Sequence, residues 1–84
     1  VYGVNVKIRE RIFKGMLNIG YRPTLAGDEK KIEVHIFDFK EDIYGESIQV
    51  VFKFWVREEK KFDSLDHLKE HLLDDKNLVI KRLS

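Results

Sequence analysis

Val4-Asn5-Val6-Lys7-Ile8 alternates apolar and polar side chains at every step, the period-2 pattern of a strand with one buried and one solvated face. Working outward from it, a turn near Arg9 to Arg11 leads into a second strand over about Ile12 to Ile19. Gly15 within that strand predicts a bulge or a close backbone approach. The stretch from Gly20 to Asp28, Gly-Tyr-Arg-Pro-Thr-Leu-Ala-Gly-Asp, is dense in breakers and reads as a surface loop. Ile32, Val34 and Ile36 then alternate with Glu33, His35 and Phe37, which places Glu33 and His35 together on the face opposite the aliphatic one. A charged connection over Lys40 to Glu46 precedes a strand from about Ser47 to Arg57. Its predicted inward row is Ile48, Val50, Phe52, Phe54 and Val56, against a mixed face of Gln49, Val51, Lys53, Trp55 and Arg57.

The final third changes period. Leu65, Leu68 and Leu72 recur at helical spacing after Asp63-Ser64, either of which can cap a helix N-terminus. Asp66 suits the positive first turn, and Asp74-Asp75-Lys76-Asn77 is expected to end or interrupt the helix, leaving Leu78 to Leu83 unassigned. Strands over about 1–57 followed by a helical part over about 64–84 define a single α+β, mainly β, domain with an antiparallel barrel-like sheet.

Length and composition bound what such a domain does. A chain of 84 residues builds a thin core. Its 16 basic and 15 acidic residues leave a net charge of +1, so there is no strong polyanion-seeking field and nucleic acid is not indicated by charge. The absence of cysteine excludes a disulfide framework and a thiolate zinc site, and fits a cytoplasmic protein. No apolar run approaches the roughly 20 residues that cross a bilayer, so no membrane partner is expected. The chain opens inside an alternating strand pattern and its single Met is Met16. We therefore expect a domain truncated on its N-terminal side.

Four ordered stretches resemble the riboflavin kinase family: Gly15-Met16-Leu17-Asn18-Ile19-Gly20-Tyr21-Arg22-Pro23-Thr24, Glu33-Val34-His35-Ile36-Phe37-Asp38-Phe39, Asp42-Ile43-Tyr44-Gly45-Glu46, and Arg57-Glu58-Glu59-Lys60-Lys61-Phe62-Asp63-Ser64-Leu65. The resemblance implies an antiparallel Greek-key β-barrel with a C-terminal helix. It implies transfer of the ATP γ-phosphoryl group to the ribityl 5'-hydroxyl of riboflavin to give FMN, with Mg2+ or another divalent metal accompanying ATP. Bacterial members are usually fused behind an FAD synthetase domain, a possible partner here. The family's glycine-rich loop and Pro-Thr-Ala-Asn segment, which serve ATP and the metal, lie upstream of the strand that opens this sequence. Pro23-Thr24 is followed by Leu25-Ala26 and belongs to a different motif. No metal ligand is therefore expected within these residues, and the segment alone is expected to be inactive.

Phosphorylating an alcohol requires a base at the hydroxyl. On pattern alone Glu33 is a polar outer-face residue; the resemblance makes it the catalytic base. The resemblance likewise sets Arg57, Glu58 and Phe62 against the flavin, and Asp38 and Tyr44 toward the nucleotide. For Phe62 the competing reading is a hydrophobic staple before the helix. Arg57 and Glu58 also read as the start of a solvated charge run, a description that fits Glu59 and Lys60 better. His35 carries no assignment. His67-Leu68-Lys69-Glu70-His71 matches the H-x-x-E-H pattern of inverted zinc peptidases. Catalytic zinc needs a third ligand and an open position, however, and this helix must use its leucines to dock. A different class of function is a non-catalytic small β-barrel binding module, for flavin or for single-stranded nucleic acid stacked on Trp55, Phe52, Phe54, Lys53 and Lys60.

Overall fold

The computed structural model describes residues 1–84. Its elements are β1 (Tyr2–Ile8), β2 (Arg11–Thr24), β3 (Gly27–Ile36), β4 (Gln49–Trp55) and α1 (Leu65–Leu83). The strands form one four-stranded antiparallel sheet in the order β3-β2-β1-β4. Three hairpin-connected strands with a fourth returning beside the first make a Greek key, as expected. The expected barrel is not closed: β3 and β4 do not pair with each other, and four strands are too few to wrap the sheet onto itself.

The alternation that identified β1 sets the whole arrangement. Val4, Val6 and Ile8 are buried together with Leu17 on one face, against Phe13, Ile19, Val34, Ile36 and Val50. Phe39 and Ile43, from the connection after β3, cover this cluster. On the other face Met16, Phe37 and Val79 form a second cluster, flanked by Phe54, Val56, Leu72, Ile80 and Leu83. The sheet therefore carries apolar packing on both faces, with α1 on the second.

Three sequence expectations are corrected. First, the residues Gly20 to Asp28 are not a loop. β2 and β3 run through them, in register from Gly15↔Ile36 to Thr24↔Gly27, and only Leu25 and Ala26 lie outside the strands. The breakers are tolerated because β1 accompanies β2 only as far as the Tyr2↔Leu17 pair. Beyond it β2 has a free edge on that side, where Pro23 interrupts no second ladder. Gly27, at φ 127, supplies the positive dihedral that closes the hairpin.

Second, Phe52 and Phe54 do not share one inward row. The β1–β4 register shifts between Gly3 and Val4, so that Val4 pairs with Phe52 while Gly3 pairs with Phe54. The bulge at Lys53 sends Val50 and Phe52 to the first face, and Phe54 and Val56 to the helix side. Phe54 occupies the space above Gly3, where a Cβ would sit 2.5 Å from its ring.

Third, Asp74-Asp75-Lys76-Asn77 does not interrupt the helix, which continues to Leu83 and takes in the unassigned tail. The Ser64 hydroxyl accepts a hydrogen bond from the His67 amide, capping the start as expected. The docking stripe is Leu68, Leu72, Asp75 and Val79, while Leu65 is exposed. Burial of a second turn of apolar residues beyond Asp75 outweighs the modest helix propensity of Asp and Asn.

Gly15 makes the predicted close approach. A Cβ there would lie 2.6 Å from the backbone oxygen of His35. Backbone cannot swing aside as a side chain can, so Gly15→Ala should destabilise the fold by about 1–3 kcal/mol. A lowered urea midpoint with an unchanged slope would register this.

Candidate functional site

The helix-side face of the sheet is only partly covered by α1. Between the sheet, the segment after β4 and the N-terminal half of α1 lies a cleft of about 330 Å³. Period-2 alternation delivers Met16 and Asn18 from β2 and Glu33 and His35 from β3 to this wall, with Met16↔His35 and Asn18↔Glu33 as cross-strand pairs. Arg57, Glu59, Lys60 and Phe62 form a second wall, and Leu68, Leu72 and Asp75 of α1 form the floor. A mixed lining with an aromatic, aliphatic side chains and a few charged groups suits an organic ligand that is part apolar and part polar.

Glu33, on β3, and Arg57 and Phe62, on the segment after β4, all line this cleft. Glu33 is at its open side, with its side chain 58% exposed and one oxygen 3.0 Å from Lys31 Nζ. Glu58 is exposed and its side chain does not line the cleft; its backbone oxygen accepts a hydrogen bond from Arg57 Nη1 at 2.9 Å. Phe62 is half-buried, with its ring centroid 4.9 Å from that of His71 and 6.0 Å from the Arg57 guanidinium carbon. It is thus a wall of the cleft and a lid over the first turns of α1. Asp38 and Tyr44 lie outside the cleft. Asp38, at φ 56, has its carboxylate 85% exposed and 3.7 Å from Lys76 Nζ; Tyr44 is 96% exposed, its amide donating to Asp42 Oδ1.

Sequence reasoning missed the group that organises the cleft. Asp75 is buried, with its side chain 7% exposed, and accepts from Arg57 Nε at 3.1 and 3.0 Å and from Arg57 Nη2 at 2.7 Å. This fork-on-carboxylate geometry pins the end of the last strand to the middle of the helix. The signal was available: Asp75 sits three residues after Leu72 and four before Val79, so a charge in the apolar stripe implied a buried partner. His71, one turn earlier, places Nε2 3.9 Å from Asp75 Oδ1. The Val56 and Arg57 amides donate to the Val1 carbonyl, tying the start of β1 to this corner. At the other end of β1, the hydrogen bond from Arg9 to Glu46 raises the pKa of Arg9.

Asn18 and Glu59 were also missed. Asn18 Oδ1 is buried without a hydrogen-bond partner, and the Glu59 carboxylate lies against Gly20, where a Cβ would sit 2.7 Å from Oε1. No sequence pattern distinguishes Asn18 from an ordinary strand amide. His67 is exposed and His71 packs on Phe62, and no group of three or more His, Cys, Asp or Glu side chains is placed to hold a metal ion. The H-x-x-E-H stretch therefore has no third ligand beside it. The aromatics of the stacking-surface reading are divided by the bulge. Phe52 and Trp55 are exposed on the face away from α1, and Phe54 packs on the helix side beneath Arg82.

Comparison with known proteins adds an independent line. Residues 1–83 match the family described as Flavokinase, riboflavin kinase. The chain is 42% identical over 83 residues to the RNA-binding riboflavin kinase RibR of Bacillus subtilis, covering 98% of this chain and 36% of that protein. It is 45% identical over 76 residues to a bifunctional riboflavin kinase/FMN adenylyltransferase of Escherichia coli, covering 89% of this chain and 24% of the relative. Among solved structures, a chain described as a macrolide-efflux protein from Streptococcus pneumoniae superposes with a TM-score of 0.86 at 38% identity, over 93% of this chain and 26% of that one. The chain thus spans about a quarter to a third of the length of the curated relatives it matches. No helix is long and apolar enough to cross a membrane.

Asp75→Ala leaves the half-buried Arg57 guanidinium unpaired and should cost about 3–5 kcal/mol of stability. The double substitution Arg57→Met/Asp75→Leu should recover most of that loss, since neither charge is then buried alone. Denaturant unfolding of the single and double variants checks both expectations.

Proposed function

The chain belongs to the riboflavin kinase family, and we propose that the longer protein carrying it transfers the γ-phosphoryl group of ATP to the ribityl 5'-hydroxyl of riboflavin, giving FMN and ADP. The observation that carries this reading is the convergence of Glu33, Arg57 and Phe62 on one partly apolar cleft. Isoalloxazine is a flat apolar ring with polar edges, which matches a wall made of Phe62 beside Arg57 and a floor of Leu68 and Leu72. Glu58 contributes through its backbone, by accepting from Arg57.

Glu33 is the general base. Its carboxylate stands at the open side of the cleft, where the end of a ribityl arm emerges if the ring lies against Phe62. It removes the proton of the 5'-hydroxyl as that oxygen attacks the γ-phosphorus, and the bond from phosphorus to the β,γ-bridging oxygen breaks. Lys31 Nζ lies 3.0 Å from one Glu33 oxygen and holds that side of the carboxylate. Asp38 and Tyr44, exposed on the connection after β3, would meet the nucleotide from outside the cleft on this reading; their exposure is what supports it.

The family's Mg2+ accompanies ATP, but the residues present do not fit a divalent ion: no three acidic or histidine side chains come together. No step on this chain is therefore routed through metal. An FMN adenylyltransferase (FAD synthetase) region in the same polypeptide, as the bifunctional relatives are described, would place the consumer of FMN beside its source. The cytoplasm, where ATP is abundant, is the matching location.

In the full-length protein Glu33→Gln should reduce FMN formation by about 10²–10⁴-fold. Riboflavin binding, followed by quenching of flavin fluorescence, should remain. Undiminished turnover in this variant would remove Glu33 from the mechanism.

A further inference from the structure

The wall of the cleft around Glu33 leaves one acceptor unserved, although His35, Arg57 and Lys60 line the same cleft. Asn18 Oδ1 is buried in it without a partner. Asn18 and Glu33 are directly paired across β2 and β3 on the helix-side face, so their side chains start about 4.5–5.5 Å apart. Ionised Glu33 and Glu59, which both line the same cleft, only accept hydrogen bonds. Lys31, the nearest cation along β3, is engaged by Glu33. A buried carbonyl oxygen left unpaired in the free protein costs stability, and no donor of the wall reaches it.

A ligand that completes this corner brings a neutral O–H donor to the Asn18 oxygen beside Glu33, which a polyol chain does. At that oxygen a phosphate or carboxylate would meet a lone pair with lone pairs of its own. Resting on the riboflavin reading above, we infer that Asn18 is a specificity residue for the polyol arm. Its Oδ1 accepts a hydrogen bond from a ribityl hydroxyl neighbouring the one that Glu33 deprotonates. The amide thereby selects flavins that bear the arm over those with the bare ring, and sets the 5'-hydroxyl beside the base. A site built to hydrogen-bond a substrate hydroxyl discriminates strongly against an analogue lacking it, because the buried acceptor is then left unpaired.

The test titrates riboflavin and lumiflavin, which has the same ring system without the ribityl arm, into the full-length protein and its Asn18→Ala and Asn18→Leu variants. Both substitutions should weaken riboflavin binding about tenfold, the value of one hydrogen bond near 1.4 kcal/mol. Lumiflavin binding should be unchanged. Asn18→Leu, close in size but without the orphaned oxygen, should melt no lower than the unsubstituted protein, which separates a ligand contact from a structural one. Unchanged riboflavin affinity in both variants would overturn the assignment of Asn18, leaving the kinase reading intact. So would an equal loss for riboflavin and lumiflavin. If the unsubstituted protein binds no riboflavin, the kinase reading fails and the Asn18 assignment falls with it.

Discussion

The buried fork between Arg57 and Asp75 is the constraint on which the site depends. It joins the chain just beyond β4 to the middle of α1, beside the ring contact between Phe62 and His71. With that join in place, the segment carrying Glu59, Lys60 and Phe62 is held as a wall facing the sheet, and the cleft exists. A buried ion pair is not in itself a strong source of stability, because desolvation of the two groups offsets most of their attraction. What it supplies is position: Arg57 has more N–H groups than Asp75 and the Glu58 carbonyl use, and the bidentate geometry fixes where the remaining ones are presented.

The bulge at Lys53 solves a different problem. A sheet with apolar residues on both faces needs its edge strand to serve two cores. Strict alternation would send Val50, Phe52, Phe54 and Val56 to one side only. By opposing an extra residue to β1, the bulge gives Val50 to the cluster around Val4 and Val6, sets Phe52 edge-on to Tyr2 on the same face, and gives Phe54 and Val56 to the cluster beneath α1. Gly3 takes part in the same device, because the Phe54 ring occupies the place of its missing side chain. The packing of α1, and so the floor of the cleft, rests on this local irregularity.

The polar wall makes a complementary contribution. Glu33, Glu59 and Asn18 place acceptors where an apolar ligand alone would gain nothing, and Asn18 carries an unpaired oxygen in the free protein. Local cost of this kind is common where a site is prepared for a partner that is not part of the fold. The apolar side of the cleft, by contrast, is built from residues that also hold the domain together. Leu68 and Leu72 belong to the docking stripe of α1, and Phe62 rests on His71. The apolar lining of the cleft and the stability of the fold are therefore supplied by the same side chains.

Much of this was legible before the fold was seen. Period-2 alternation sufficed to bury Val4, Val6 and Ile8 and to set Glu33 and His35 on the opposite face from Ile32, Val34 and Ile36. Ser64 announced the start of α1, because a cap and a strand alternation are local and depend on a few neighbouring residues. The family resemblance singled out Glu33, Arg57 and Phe62, which line the cleft, and equally Glu58, Asp38 and Tyr44, which do not. Three things needed the tertiary structure. Pro23 and the glycines around it read as a loop, yet they form a hairpin arm because β2 outruns β1 there and its edge is free. Asp74 to Asn77 read as a helix end, yet the helix persists because Asp75 finds Arg57 and Val79 finds a core. Phe52 and Phe54 read as one row, yet they part because the register with β1 slips by one residue. Each outcome is decided by a partner distant in sequence, so the pairing energy that selects it cannot appear in a short window of residues.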